Sequence, residues 1–320
     1  MFIFRQPPSG SVLILTVWVM SLLSFLAAGL GSRGIFALGV SERLHGQLKA
    51  TTTAEGGAQI ALALMQKDPT PDYDGPAEAW FQMEDWESLR DPEVSVELGS
   101  GLVDEDRKLN LNTAPVEVLQ NLFQAQGGLP KDEALNTAEA VADWRDADDN
   151  EREHGAEGFT YRGLSPGYDC KNGPLESVEE LLLVKGITPQ VWTRCEPYVT
   201  VYGSGRVNVN TASKAVLLAL GLSPQGVSAL LAYRAGNDGV EGTKDDTLFR
   251  SDDLIVPELS GKIPLEDQNR LTQLSKVHFL GVGSGAFRLV LTAQTSSSKT
   301  QVHLTCIVER TGQIKAWMER

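Results

Sequence analysis

Between Arg5 and Arg33 the chain carries no charged residue, and Val12 to Leu30 is a 19-residue run of apolar, small and hydroxyl side chains. A helix needs roughly 20 apolar residues to cross the hydrocarbon of a bilayer. Ser21 and Ser24 are compatible with that, because a hydroxyl can bond back to its own helix. One reading is a secretory signal cut near Ala27, Ala28 and Gly29. The run is long for that, since the apolar part of a signal usually covers about 7–15 residues. The other is a retained anchor. Beyond Arg33 the period stays helical and becomes amphipathic, with Ile60, Ala61, Leu64 and Met65 on one side and a stop at Asp68-Pro69. Gly34, Gly39, Gly46, Gly56 and Gly57 each weaken such a helix by about 1 kcal/mol relative to alanine. It therefore needs a sheet or neighbouring helices to hold it.

A third reading accounts for the leader. Arg5 precedes Gly10, and Gly10 stands directly before the apolar run. This resembles a prepilin leader, a short basic peptide removed on the cytoplasmic side of a helix that is kept. The resemblance implies cutting by prepilin peptidase between Gly10 and Ser11 and a methylated N-terminus. Most pilins carry Glu at the fifth mature position; here that position is Leu15. The K-type minor pseudopilins of type II secretion commonly lack this Glu.

The 320 residues suffice for one or two domains with real cores, and the formal charge of −14 (pI about 4.8) disfavours nucleic acid and anionic lipid surfaces as partners. Three cysteines are too few for a disulfide scaffold. In an oxidising compartment Cys170 and Cys195, the nearer pair in sequence, could bridge, leaving Cys306 as a buried thiol.

The chain repeats itself. "RKLNLNTAPVEVLQNLF" (107–123) recurs as "GRVNVNTASKAVLLAL" (205–220). In each copy a short extended segment leads into a helix, for which Asn112 or Thr113, and Asn210 or Thr211, are candidate caps. Pro115 suits a first helical turn. A second helix ends in an aromatic-Arg pair, Trp144-Arg145 or Tyr233-Arg234, and runs into an acidic loop. A third helical segment follows, "LESVEELLLVKGIT" or "FRSDDLIVPELSG". The spacing predicts a duplicated helical unit with stacked apolar faces, repeat 1 over about 107–203 and repeat 2 over about 205–275. The Asn-Thr-Ala start resembles the helix-hairpin-helix modules of competence-type DNA receptors. Those modules grip phosphate with a Gly-rich hairpin and positive charge. Here "AQGGLPKD" and "LGLSPQG" lack the Gly-apolar-Gly pattern, and acidic residues surround "VKGIT". The unit therefore reads as structural, with no nucleic acid partner.

Before the repeats, Val94, Val96 and Leu98 alternate as a strand, and Gly99 and Gly101 signal a turn. After them, "HFLGVGSGAFRLVLTAQT", "QVHLTCIVERT" and "IKAWMER" read as strands, the last two joined by a hairpin at "ERTGQ". The whole is an α+β chain. A long N-terminal helix (11–68, its transmembrane part 12–30) follows the leader (1–10). An antiparallel sheet comes from 69–108 and 276–320, and the inserted helical domain spans 109–275. This layout resembles the K-type minor pseudopilins over nearly the whole chain, carried by the leader, Leu15, "LNLNTAPVEVL", "DWRDADDNE", "SVEELLLVKGIT" and "VNVNTASKAVLLAL". The resemblance implies a pilin-like fold, a single pass through the bacterial inner membrane and a periplasmic globular part. It also implies a place at the tip of a short pseudopilus with the I- and J-type minor pseudopilins, next to the major pseudopilin.

In "DWRDADDNEREHGAEGFTY" (143–161) the carboxylates crowd together and repel unless a cation screens them. Hard oxygen ligands suit Ca²⁺, which the resemblance also implies for the helical domain, although the spacing is not that of an EF-hand. The candidate ligands are Asp146, Asp148, Asp149, Asn150 and Glu157. A second, weaker set is Asp238, Glu241, Asp245 and Asp246, beside Lys244. Neither an H-E-x-x-H nor a C-x-x-C motif occurs, and the one G-x-S-x-G match, Gly163 to Gly167, is no nucleophile elbow, because no strand pattern leads into it. The chain thus reads as a structural and interaction protein with no small-molecule substrate, rather than an enzyme. A competence-type DNA-uptake protein and a minor pilin of a type IV system are the rival classes.

Overall fold

The computed structural model describes residues 10–78, 94–296 and 300–319; the basic leader with Arg5 lies outside them. A single helix, α1 (Gly10–Gln66), runs for 57 residues, about 86 Å at 1.5 Å per residue. Its N-terminal part is long and apolar enough to cross a membrane, and none of that apolar window is buried among the described residues. Its C-terminal part lies on an antiparallel sheet built from β1 (Val94–Asp104), β6 (Ala286–Thr295), β7 (Gln301–Glu309) and β8 (Ile314–Glu319), in the order β1-β6-β7-β8.

The contact is made by small residues. Ala50, Ala54, Ala58 and Ala61 are fully buried and, with Leu62 and Met65, cover Leu102, Phe287, Leu289, Leu291, Leu304 and Cys306 of the sheet. Burial alternates along β6, as the period of two requires. An alanine seam lets the helix sit close to the strands, so added bulk has nowhere to go. Ala54→Leu is expected to cost roughly 1–3 kcal/mol through overpacking, read as a lower urea midpoint.

Two sequence expectations change here. The glycines at 99 and 101 make no turn. β1 is one strand whose register against β6 slips between Leu98 and Leu102, a bulge that absorbs the Gly-Ser-Gly segment. The segment "HFLGVGSGAFRLVLTAQT" is two strands: β5 (Leu280–Gly281) pairs in parallel with β4 (Val207–Asn208), away from the large sheet. The helical insert therefore closes at 281 instead of 275. The hairpin at "ERTGQ" forms, with Gly312 at φ 89°.

The insert leaves the sheet after β1 and returns to its neighbour β6. It holds two copies of one element order. Copy one is β2 (Leu109–Asn110), α2 (Val116–Ala125), α3 (Lys131–Arg145), the acidic loop with α4 (Gly158–Arg162), a 3-10 turn (Val178–Leu183), α5 (Pro189–Cys195) and β3 (Val199–Thr200). Copy two is β4, α6 (Lys214–Ala219), α7 (Pro224–Arg234), its acidic loop, α8 (Ile255–Leu259), α9 (Leu265–Lys276) and β5. Each copy is closed by a two-residue parallel ladder, β2 on β3 and β4 on β5. Apolar residues of both copies merge in one core, from Leu109, Phe123 and Trp144 to Leu217, Leu230 and Phe249.

The repeated asparagines do not cap helices. Asn112 takes the amide of Leu175 on Oδ1 (2.8 Å) and donates from Nδ2 to the Leu175 carbonyl (3.0 Å). Asn210 does the same to Phe249, at 2.9 Å on both sides. A side-chain amide holds an acceptor oxygen and a donor nitrogen in one plane, so it can serve a backbone donor and a backbone acceptor at once. Each clamp ties the start of a copy to its third helical segment. The aromatic-Arg pairs have an equally specific use. Arg145 bonds the carbonyls of Leu111 and Ala114, and Arg234 those of Val209 and Ala212. The turn before each first helix is thus closed by a guanidinium from the end of the second. The helix starts fall later than expected, after Pro115 and after Ser213, whose Oγ accepts from Val216 N.

Candidate functional site

Two regions carry the sequence-derived candidates: the start of α1 and the two acidic loops. Gly10 is the first residue of α1, and Leu15 lies on its surface with its side chain exposed. An apolar side chain there meets no charge in the chain and places no acid in the hydrocarbon.

The first acidic loop is built around Asp143, which is fully buried at the end of α3. Its Oδ2 accepts the amides of Ala156 (2.8 Å) and Arg152 (3.2 Å), and its Oδ1 meets the Arg152 guanidinium (2.5 Å). A Cβ on Gly155 would stand 1.8 Å from Asp143 Oδ2, so only glycine lets the loop close over the carboxylate. Lys185, from the "VKGIT" turn, donates to the Gly155 carbonyl (3.0 Å) and pins the loop from the far side.

The same loop leaves oxygens without partners. Both carboxylate oxygens of Glu157, Asp146 Oδ1 and Asn172 Oδ1 are buried and accept no hydrogen bond. Burial pushes the Glu157 carboxyl up, the neighbouring Cys170 thiol opposes this, and the charges of Asp143, Asp146 and Asp149 push it further. Asn172 donates from Nδ2 to Asp149 Oδ1 (2.7 Å), and its backbone is held at φ 46°, in the left-handed region. A buried acceptor with no donor costs free energy, more so when it is charged. An all-oxygen donor set suits Ca²⁺, although among the described residues the acids of this loop do not bring three carboxylates within 4.8 Å of one another as Asp68, Asp74 and Glu78 do.

The structure therefore sorts the candidate ligands. Asp146 and Glu157 carry the orphaned oxygens, while Asp149 is exposed and accepts from Asn172. Asp148 and Asn150 instead bond to each other on the exposed rim, Asn150 N and Nδ2 donating to Asp148 Oδ1 at 2.9 and 2.6 Å. Asn172 joins the set from a segment that sequence spacing does not connect to the loop. Its only sequence signal is an Asn-Gly pair, which reads as an ordinary turn.

The second loop is satisfied from within. Asp245 accepts the amides of Asn237 (2.8 Å) and Asp238 (3.0 Å) on one oxygen and the Thr243 hydroxyl (2.7 Å) on the other. That hydroxyl, followed by the two amides, holds its carboxyl down at about 2. Asp238 accepts Val240 N, Glu241 pairs with Arg234 (2.7 Å), and Asp246 Oδ1 is left without a donor. One orphaned oxygen is a thin basis for a metal, so the two loops, equivalent by repeat, differ in chemistry.

The Cys170–Cys195 bridge is not formed: Cys170, Cys195 and Cys306 are free thiols. Cys170 sits half-buried beside Glu157 and the Asp143 carbonyl, whereas Cys195 ends α5 inside the core. Burial pushes Cys170 up to about 11 and Cys195 up to about 12, so both are protonated and unreactive at neutral pH. Two basic side chains near the hairpin turns point inward, Arg194 donating to the Gly127 carbonyl (3.4 Å) and Arg270 to that of Leu220 (2.6 Å), while Lys131 is exposed. A phosphate grip would need such groups turned outward.

Comparison with known proteins agrees with this architecture. Residues 100–204 match the family model for type II secretion system protein K. Type II secretion system protein K of Pseudomonas aeruginosa is 29% identical over 261 residues, covering 76% of this chain and 76% of its own length. Its counterpart in Klebsiella pneumoniae is 28% identical over 229 residues, 66% of this chain and 69% of that protein. A chain in the crystal structure of the GspK–GspI–GspJ complex of enterotoxigenic Escherichia coli superposes with a TM-score of 0.66 at 17% identity, over 88% of this chain and 99% of that one. That likeness shows the fold: a long helix on an antiparallel sheet with a helical block let into it. Taken with the sequence relatives, it makes the chain similar in sequence and in fold to the type II secretion system protein K proteins, the K-type minor pseudopilins.

Proposed function

We propose that this minor pseudopilin stands at the tip of the type II secretion pseudopilus, where it starts or caps assembly and supports export of folded proteins across the outer membrane. One observation carries the reading: an entire helical block is let in between the neighbouring strands β1 and β6, at the end of α1 farthest from the membrane-spanning part. Such a block would obstruct any subunit stacked above it. Leu15 supports the same position. A Glu there would neutralise the terminal amine of a preceding subunit, and a first subunit has none to meet. An unpaired buried carboxylate would cost several kcal/mol.

The helix anchors the chain in the inner membrane by a single pass after cutting at Gly10 and methylation of Ser11, with the globular part in the periplasm. The partners are the I- and J-type minor pseudopilins, in keeping with the E. coli complex that shares the fold, and the major pseudopilin below them. A calcium ion held by Asp146, Glu157 and Asn172 would supply the positive charge that the first acidic loop lacks. Asp143, Arg152 and Lys185 shape that loop without it.

The full chain, co-expressed with prepilin peptidase and the I- and J-type proteins and purified in detergent, is expected to elute as one complex and to begin at Ser11. A protein that begins beyond Gly29, or elutes without either partner, overturns the tip assignment.

A further inference from the structure

At the foot of the helical block, the segment after α1 folds back through three carboxylates. Oxygens of Asp68, Asp74 and Glu78 lie within 4.8 Å of one another. Among the described residues, one cation reaches them. Arg310, in the β7–β8 hairpin, bonds Asp68 Oδ2 (2.7 Å) and Asp74 Oδ1. Asp74 also accepts Ser284 N (2.6 Å), and Asp68 Oδ1 accepts Thr70 N (2.8 Å). Glu78 has no contact with the guanidinium. Its Oε2 accepts Gly75 N (3.4 Å), and its Oε1 lies 2.9 Å from Thr70 Oγ1.

Counting protons shows what is missing. Thr70 Oγ1 is within reach of two carboxylate oxygens, Glu78 Oε1 and Asp68 Oδ1 at 3.2 Å. A hydroxyl has one hydrogen to donate. With both acids ionised, one of the two contacts has oxygen facing oxygen with nothing between them. A proton on Glu78 completes the chain: Glu78 Oε1–H donates to Thr70 Oγ1, whose own hydrogen goes to Asp68. Asp68 and Asp74 both pair with Arg310, and burial pushes the Asp74 carboxyl up to about 7 against the pull of that guanidinium. The other charge felt here is Asp104 of β1, behind Asp74.

We infer that residues 68–78 form a proton-operated latch, docked while Glu78 carries a proton and loosened when it ionises. The latch matters because this segment joins three parts. Asp74 N bonds the Val282 carbonyl (2.8 Å) and Asn208 of the insert donates to the Asp74 carbonyl (3.3 Å), while Arg310 belongs to the sheet. It thus sets how firmly the helical block is held on the stalk, which goes beyond the assembly role proposed above.

Burial raises the Glu78 carboxyl to about 7, opposed by the Thr70 hydroxyl where that donates to the ionised form, by the Gly75 amide and by the Arg310 charge, and reinforced by the charge of Asp68. A raised folded value means that docking is strongest below the ordinary carboxylate range and is lost as pH rises through about 7. A single proton with these two values gives about a tenfold change in the docking equilibrium between pH 6 and pH 8.

The test is amide exchange by mass spectrometry on the full chain in detergent, with protection corrected for the pH dependence of chemical exchange. Protection of residues 67–78 is expected to fall about tenfold from pH 6 to pH 8. In Glu78→Gln, which donates at every pH, it stays high and flat. Asp72→Asn, an exposed acid in the same segment, behaves as wild type. Wild-type protection that does not change, or a fall that persists in Glu78→Gln, overturns the latch. Should the variant not fold, the wild type decides alone: the fall must be confined to 67–78 and absent from β6 and β7.

Discussion

Calcium added to chelator-stripped protein is expected to raise the melting temperature of the helical block by roughly 5–10 °C, and Glu157→Gln is expected to abolish the rise. At a hundredfold excess over the dissociation constant a ligand stabilises the folded state by about 2.7 kcal/mol. A unit the size of this insert gains roughly 2–4 °C per kcal/mol. The effect is assigned to Glu157 because both of its oxygens are buried without a donor, which no other acid of the loop shares. Two further substitutions separate the three-dimensional site from the sequence pattern. Asn172→Ala is expected to weaken the response, since its Oδ1 faces the same unsatisfied region. Asp148→Asn is expected to leave it unchanged, since that side chain is spent on Asn150. Calorimetry with no calcium binding, or a response lost in Asp148→Asn but kept in Glu157→Gln, would show the ligand set to be wrong.

The second large effect is expected at Arg234. Replacing it with Met should destabilise the helical block by about 2–3 kcal/mol, mainly because two backbone carbonyls lose their donor, the half-exposed Glu241 being screened by solvent. Arg234 is 3% exposed; it holds the carbonyls of Val209 and Ala212 and pairs with Glu241. Met can fill the volume and cannot donate, so all three acceptors lose their partner. Arg145→Met in the first copy should cost less. Arg145 makes the same two carbonyl contacts with Leu111 and Ala114 and has no carboxylate partner of its own. Urea unfolding followed by tryptophan fluorescence measures both. Equal losses in the two variants would mean that the Arg234–Glu241 pair adds nothing.

These pairs also show how far the residues could be read in one dimension. The duplicated Asn-Thr-Ala and aromatic-Arg signals mark two equivalent units before any coordinates are seen. What Asn112, Asn210, Arg145 and Arg234 do could not be read, because their partners lie 22 to 63 positions away. Local rules offered a helix cap, and a long-range clamp took its place. At β1 the glycines satisfied the rule for a turn, yet pairing with β6 on both sides of them kept the strand going. In the acidic loop the density of charge was plain. Which carboxylates turn in and which turn out was decided by Gly155 closing on Asp143 and by Asn172 arriving from another segment.

The sequence alone determined the membrane-length helix, its amphipathic continuation, the duplicated helical unit and the absence of an acid at position 15. All of these are local patterns of hydropathy and residue type, and local physics reads them. Tertiary structure alone decided where the insert closes, which loop has unsatisfied oxygens and how Asp68, Asp74, Glu78 and Arg310 come to share one corner. Those outcomes depend on which groups lose their water together, and that is set by packing between segments far apart in the chain.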